Sequence, residues 1–197
     1  MTANTHTHTH THTHTHTHTH SHTHTVMTTS RRFVAEDLFR FNNLNLDYYT
    51  ETYNIDFYAE YLCRWPEYFL MTESPTGRPM GYIMGKAEGL GENWHGHVTA
   101  VTVAPEFRRL HMAKKLMGFL EAVSEHVHNG YFVDLFVRVG NSVAIGMYQQ
   151  LGYIVYRTVT GYYSGTEDAY DMRKALPRDV DRKSIIPLTK PVMPYEL

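Results

Sequence analysis

The chain has 197 residues, 42% of them hydrophobic, enough for one globular domain with a real core and too few for a second of ordinary size. Its formal charge of −2 with neutral histidines offers no basic footprint for sequence-independent nucleic-acid binding, so any basic function is local. No apolar run approaches the roughly 18 residues of a membrane span and no signal-peptide pattern occurs; the single cysteine, Cys63, excludes an intrachain disulfide and fits a reducing, cytoplasmic compartment.

In chain order, residues 1–26 come first: a His-Thr alternation holding ten of the fifteen histidines and almost nothing apolar to bury. It is expected to be disordered, and Thr-His is what a translated CACACA repeat encodes. Met27-Thr-Thr-Ser reads as a second start. Residues 27–176 carry the pattern of a folded domain. Arg32-Phe-Val34 reads as a short strand, Glu36 to Leu46 as a helix, and a second, aromatic-rich helix begins at Thr52 or Asp56 and ends near Trp65-Pro66, with Cys63 packed in the core. Tyr68–Thr72 and Met80–Gly85 read as strands joined by a Pro- and Gly-containing turn, and His97–Val103 as a third strand. A helix is expected from Arg108 to about His126 with Leu110, Leu116, Leu120 and Val123 on its inner stripe. Then follow a strand at Tyr131–Val137, a helix from Asn141 to Leu151, and strands at Ile154–Val159 and Ala169–Arg173. Residues 177–197 hold four of the eight prolines and are expected to run extended over a surface. The sum is an α/β domain with a mixed central sheet flanked by helices.

The segment from Val101 to Met117 carries the strongest chemical signal. A strand runs through a short turn into a helix whose start carries Arg108 and Arg109. A helix start leaves about four backbone N–H groups without internal partners and about half a positive charge, which together suit a pyrophosphate. Val101, Val103, Arg108, Arg109, Leu110, His111, Met112 and Ala113 are therefore the candidate cofactor contacts, with His111 expected in ordinary helical conformation. Farther on, Asn141 can cap the next helix, and Tyr148 lies two turns along the same face. On the third strand, His95, His97 and Thr99 share one face by the period of two. His95-Gly-His97 is also half of a metal-ligand pattern, but no cysteine or further histidine clusters with it, and no metal is expected.

Arg108-x-x-His111-x-Ala113 resembles the Arg/Gln-x-x-Gly-x-Gly/Ala motif of the GCN5-related N-acetyltransferases, with histidine standing where that family usually has its first glycine. The segment Asn141 to Tyr153 resembles the family's Asn…Ala…Tyr…Leu-Gly-Phe/Tyr segment, and the order of elements is the family's. This resemblance implies that fold, acetyl-coenzyme A as cosubstrate, and Tyr148 near the coenzyme sulfur as the candidate acid, with Asn141 beside it. Longer blocks, among them Asp37–Leu46, Trp65–Phe69, Met80–Glu88, Trp94–Ala100 and Tyr170–Ala175, are similar to NatB-type catalytic subunits. That narrower resemblance implies acetylation of nascent chains that retain Met and have Asp, Glu, Asn or Gln second. It implies Glu51, Tyr53, Tyr162 and Tyr163 as walls of the peptide slot, His97 as reader of the second side chain with Thr99 and Asn141 near it, and a large helical auxiliary subunit that tethers the enzyme to ribosomes. Two alternatives stay open: an acetyltransferase for lysine or small amines, and a non-catalytic coenzyme-binding relative.

Overall fold

The computed structural model describes residues 28–197; the His-Thr repeat and Met27 lie outside the described residues. Seven strands form one sheet in the order β1-β2-β3-β4-β5-β7-β6. They are β1 Thr29–Arg32, β2 Leu70–Glu73, β3 Pro79–Glu88, β4 His95–Val103, β5 Phe132–Arg138, β6 Ile154–Tyr163 and β7 Glu167–Ala175. All neighbours are antiparallel except β4 and β5, which run parallel and are joined across the helix α2, Met112–His126. The other helices are α1, Ile55–Arg64, and α3, Ser142–Gln150.

Two apolar clusters fill the two faces. One gathers Leu116, Met117, Leu120 and Val123 of α2 with Tyr68, Ile83, Val98, Leu135 and Tyr148. The other gathers Phe33, Phe41, Leu44, Tyr58 and Tyr61 with Phe69, Met71, Tyr82 and Met84. Burial of such side chains, each worth about 1.5–3 kcal/mol, is what holds helices to the sheet.

Several expectations change. Glu36–Leu46 is not a helix but two short 3-10 turns, Ala35–Phe39 and Asn42–Leu44. Asn42, Asn43 and Asn45 are poor helix formers, and Asp37 is taken up by bonds from Arg31 and from the Val34 N–H instead of an α-helical first turn. Strand β1 lies upstream of the expected Arg32–Val34. Cys63 is exposed, not packed in the core: α1 turns Tyr58 and Tyr61 inward, and a residue two beyond Tyr61 falls on the other face. Leu110 precedes α2 and is exposed, so the inner stripe begins at Met112 and Leu116.

The decisive irregularity is in β4. Met84 pairs with Ala100 and Gly85 with Val98, which leaves Thr99 as an extra residue, a β-bulge. Gly85 sits opposite it, where an added Cβ would lie 2.5 Å from the His97 carbonyl oxygen and 2.7 Å from Leu120 Cδ1, so only glycine lets strand and helix approach this closely. Beyond the bulge β4 parts from β5. Their pairing covers Gly96–Val98 against Val133–Leu135 only, while β4 continues to Val103 and β5 to Arg138. A crevice therefore opens at the carboxyl ends of two parallel strands, between Thr99–Val103 and Phe136–Arg138, where an α/β sheet accepts a ligand.

At the opposite edge, the C-terminal segment lies along β6. Leu188 N–H donates to the Tyr156 carbonyl at 2.7 Å, Val192 N–H to Thr158 at 3.0 Å, and Thr160 N–H to Val192 at 2.9 Å.

Candidate active site

The connection between β4 and α2 forms one wall of the crevice. After a 3-10 turn at Pro105–Phe107, Arg108 is extended, Arg109 has φ 63°, and His111 caps α2 with φ 57° and ψ 19°. The expected helical conformation of His111 is thus corrected: it is left-handed, the conformation glycine adopts without penalty. Its side chain makes no capping bond. Among the described residues, none of the six N–H groups from Arg109 to Lys114 donates within the chain; the first to do so is Lys115, to the His111 carbonyl at 3.2 Å. Six unspent donors at a 15-residue helix start make an anion cradle out of backbone. Arg108 is engaged elsewhere. Its Nη2 donates to Asp47 Oδ2 at 2.5 Å and its Nε to the Val103 carbonyl at 3.3 Å, which ties the loop before α1 to the cradle. The Tyr49 N–H and then Arg108 hold the Asp47 carboxyl below its ordinary range.

Helix α3 follows β5 and packs Ile145, Met147 and Tyr148 into the cluster under α2. Asn141 Oδ1 accepts from Ala144 N–H at 3.1 Å, the expected cap, and so is committed to the helix start. Tyr148 is buried by its ring in the cluster under α2, and burial alone pushes its phenol above the ordinary value. Among the described residues its hydroxyl has no hydrogen-bond partner, and it is not among their enclosed unpaired atoms. The group is protonated at any physiological pH: a donor, not a base.

The remaining candidates meet on the far side. Tyr53 stacks on Phe57 with ring centroids 4.3 Å apart, and its hydroxyl reaches the Thr99 carbonyl at 3.5 Å, over the bulge. Thr99 Oγ1 donates to Tyr61 at 3.0 Å. Tyr162 stacks on Phe136 at 4.6 Å and meets Tyr163 edge to face at 5.0 Å; Tyr163 donates to the Phe136 carbonyl at 3.2 Å. Burial pushes the phenols of Tyr53 and Tyr163 up, and that of Tyr162 up to about 12. These three tyrosines are therefore hydrogen-bond donors as well. Glu51 is paired with Arg138, which also pairs with Glu167 and lies 4.0 Å over the Tyr163 ring. One guanidinium thus joins the loop before α1 to the β6–β7 hairpin, and burial works against its charge while the two carboxylates raise its pKa.

His97 is buried on β4, its Nδ1 2.8 Å from Asp134 Oδ1, and its ring lies 5.6 Å from that of Phe136. His95 Nδ1 lies 2.6 Å from the Asn93 carbonyl and its Nε2 3.3 Å from Asp134 Oδ2. Burial would raise the Asp134 carboxyl, but the charge of His97 and the bonds from both imidazoles hold it well below its usual range. Burial lowers His95, and its bond to Asp134 more than restores it. Glu88 brings a third ligand-type atom within 4.8 Å of the two histidines, a grouping invisible in sequence because Glu88 stands across the β3–β4 ladder. Asp134 already engages His97 Nδ1 and His95 Nε2.

The structure thus gathers Glu51, Tyr53, His97, Thr99, Tyr162 and Tyr163 on one side of the crevice, the Arg109–Ala113 backbone and Tyr148 on the other, and Val101 and Val103 along the free edge of β4 between them. Sequence reasoning missed Asp134, Phe136, Arg138, Tyr61 and Asp47. The strand Phe132–Arg138 reads as an apolar run, and the charges at Asp134 and Arg138, on one face by the period of two, are the one usable signal.

Against this geometry, the model of the acetyltransferase (GNAT) family matches residues 38–153. The chain belongs to the acetyltransferase (GNAT) family. It is 66% identical over 170 residues to N-alpha-acetyltransferase 20 of Dictyostelium discoideum, covering 86% of this chain and 98% of that one. It is 62% identical to the N-terminal acetyltransferase B complex catalytic subunit NAA20 of Arabidopsis thaliana, covering 87% and 98%. The crystal structure of Chaetomium thermophilum Naa20 in complex with a bisubstrate analogue superimposes with a TM-score of 0.81 at 43% identity, over 85% of this chain and 97% of that one. Within its family the chain groups with the NatB catalytic subunits, N-α-acetyltransferases that take their acyl group from acetyl-CoA. Among the described residues no helix is long and apolar enough to cross a membrane.

Proposed function

We propose that this acetyltransferase modifies the α-amino group of the initiator Met on proteins beginning Met-Asp, Met-Glu, Met-Asn or Met-Gln, in the cytoplasm, as the catalytic subunit of a NatB-type complex. A large helical auxiliary subunit completes that complex and holds it at the ribosome. The observation that carries the reading is the meeting of two unlike walls in one crevice: a backbone cradle for a pyrophosphate and a slot of hydrogen-bonding aromatics beside His97.

The chemistry follows from the residues. The N–H groups of Arg109 to Ala113 hold the pyrophosphate and the free edge of β4 from Val101 to Val103 aligns the chain leading to the thioester. The peptide amine enters between Tyr53 and Tyr162-Tyr163 and attacks the thioester carbonyl. An α-amino group titrates near 8, so a useful fraction is neutral at pH 7 without a strong base. The C–S bond breaks as the amide forms. Tyr148 donates a hydrogen bond to the departing sulfur; a coenzyme thiol near pKa 8.5 is a far weaker base than the Tyr148 phenolate, so the phenol stabilises the thiolate by bonding and the amine supplies the net proton.

The test is an acetylation assay on the full chain copurified with its native partners. Peptides beginning Met-Asp and Met-Glu should exceed Ser-Ala peptides, and acetylated-N-terminus peptides carrying an internal lysine, by at least tenfold in kcat/KM. Preference for the lysine peptides would establish the small-amine or lysine reading instead.

A further inference from the structure

His97 is held by geometry in one tautomer. Its Nδ1 faces Asp134 Oδ1 at 2.8 Å, and an ionised carboxylate only accepts, so the proton belongs on Nδ1. The carboxylate cannot turn away. Its other oxygen faces His95 Nε2 at 3.3 Å, and His95 is anchored in turn through Nδ1 to the Asn93 carbonyl at 2.6 Å. Both nitrogens of His95 therefore face acceptors, which favours the imidazolium and holds it against Asp134. What remains is Nε2 of His97. It has no hydrogen bond to the described residues and is not among their enclosed unpaired atoms, and the ring that carries it lies beside Phe136, on which Tyr162 stacks.

We propose that Asp134, backed by His95, is the positioning residue that sets second-residue specificity: it fixes the proton of His97 on Nδ1, so that Nε2 reads an acidic side chain as a donor when the ring is charged and an amide side chain as an acceptor when it is neutral. The proposal rests on the reading of substrates given above and extends it from His97 to the carboxylate behind it. A doubly protonated ring donates Nε2–H to the carboxylate of Asp or Glu. A neutral ring carries a lone pair on Nε2 and accepts from the NH2 of Asn or Gln, a bond that an acid cannot supply. One side chain thereby serves two side-chain classes, through two protonation states that the same neighbour makes available.

The surrounding groups leave this exchange to His97. From β3, Glu88 Oε1 lies 3.9 Å from Nδ1, and its other oxygen is bonded by Lys86 at 2.5 Å. From β4 and β5, His95 and Asp134 are committed to each other. From α1 and β6, Tyr61 and Tyr162 have phenols raised chiefly by burial and remain protonated.

The experiment is steady-state kinetics of the full chain with its native partners on Met-Asp and Met-Asn peptides, from pH 6 to 8.5, for wild type and Asp134→Asn. In wild type the ratio of kcat/KM for Met-Asp over Met-Asn should fall as pH rises across that interval. Asp134→Asn keeps an acceptor for Nδ1 but withdraws the charge. It should raise KM for Met-Asp about tenfold, the usual difference between a charged and a neutral hydrogen bond, move KM for Met-Asn much less, leave kcat on both alike, and flatten the pH dependence of the ratio. Equal losses on both peptides, or a wild-type ratio that does not change with pH, would overturn the proposal. Should Asp134→Asn fail to fold, His97→Gln provides the same reading, because a glutamine does not titrate: its ratio must be independent of pH, and a persisting pH dependence overturns the proposal. Absence of wild-type turnover on either peptide would overturn the proposed function itself, and this inference with it.

Discussion

Tyr148 and His111 are single residues whose environments permit sharp tests. On the proposed mechanism the Tyr148 hydroxyl contributes only where charge develops on sulfur, so Tyr148→Phe should lower kcat about a hundredfold while KM for acetyl-CoA changes little, as steady-state kinetics would show. His111 sits at φ 57°, a region that costs a non-glycine residue about 1 kcal/mol and a β-branched one more. His111→Val should therefore lose about 1–3 kcal/mol in urea unfolding, whereas His111→Gly should come out near neutral, the relieved strain offset by the greater freedom of the unfolded chain. The sequence pattern placed His111 at the phosphate turn but not in this conformation, because the backbone is bent there by Pro105–Phe107 and by Arg109, and helical spacing carries no trace of such a bend. Asp134 and Arg138 escaped notice for another reason: their partners, His95, His97, Glu51 and Glu167, lie on other elements, and only the folded sheet brings them together.

At the scale of elements, the sequence pattern located every strand of the sheet except the placement of β1, and it located α1, α2 and α3, of which α2 carries a long buried stripe while α3 fully buries only Tyr148. It failed at Glu36–Leu46, where an ion-pair knot replaces a helix. Arg31 bonds Asp37 and Glu73 together, each at 2.7 Å, and thereby joins β1, the first 3-10 turn and β2. Burial raises the Asp37 carboxyl, but the bonds from Arg31 and from the Val34 N–H prevail and its pKa lies below the ordinary value. A carboxyl depressed in the folded state stabilises fully above its unfolded pKa of about 3.9, and that stability is lost as pH falls through the folded value. Asp37→Asn should thus cost about 2–4 kcal/mol at pH 7, less as the pH drops below about 4, measured by urea unfolding across pH; a constant difference down to pH 2 would contradict it.

For the molecule as a whole, the order of elements was legible and the bulge was not, because Thr99 differs in nothing from the residues of a regular strand. The far edge of the sheet is closed by the chain's own end: residues 188–192 satisfy Tyr156, Thr158 and Thr160 of β6. Ending the chain after Ile186 removes these three hydrogen bonds, each worth about 1 kcal/mol, and bares an edge strand. The truncated protein should lose about 1–3 kcal/mol and self-associate, which light scattering would detect alongside a lowered Tm.

The extra residue at Thr99 also has a mechanical meaning. Strands β1 to β4 form one stiff ribbon and β5 to β7 another, and only three residue pairs rivet them together along the sheet. The proposed peptide slot draws His97 from the first ribbon and Tyr162 from the second, so its width depends on the angle between them. On the proposed function, a donor molecule seated between the free edges would fix that angle as a spacer fixes the jaws of a clamp. The acetyl donor should then enter first, and the peptide should find its fitted berth only in a molecule already loaded.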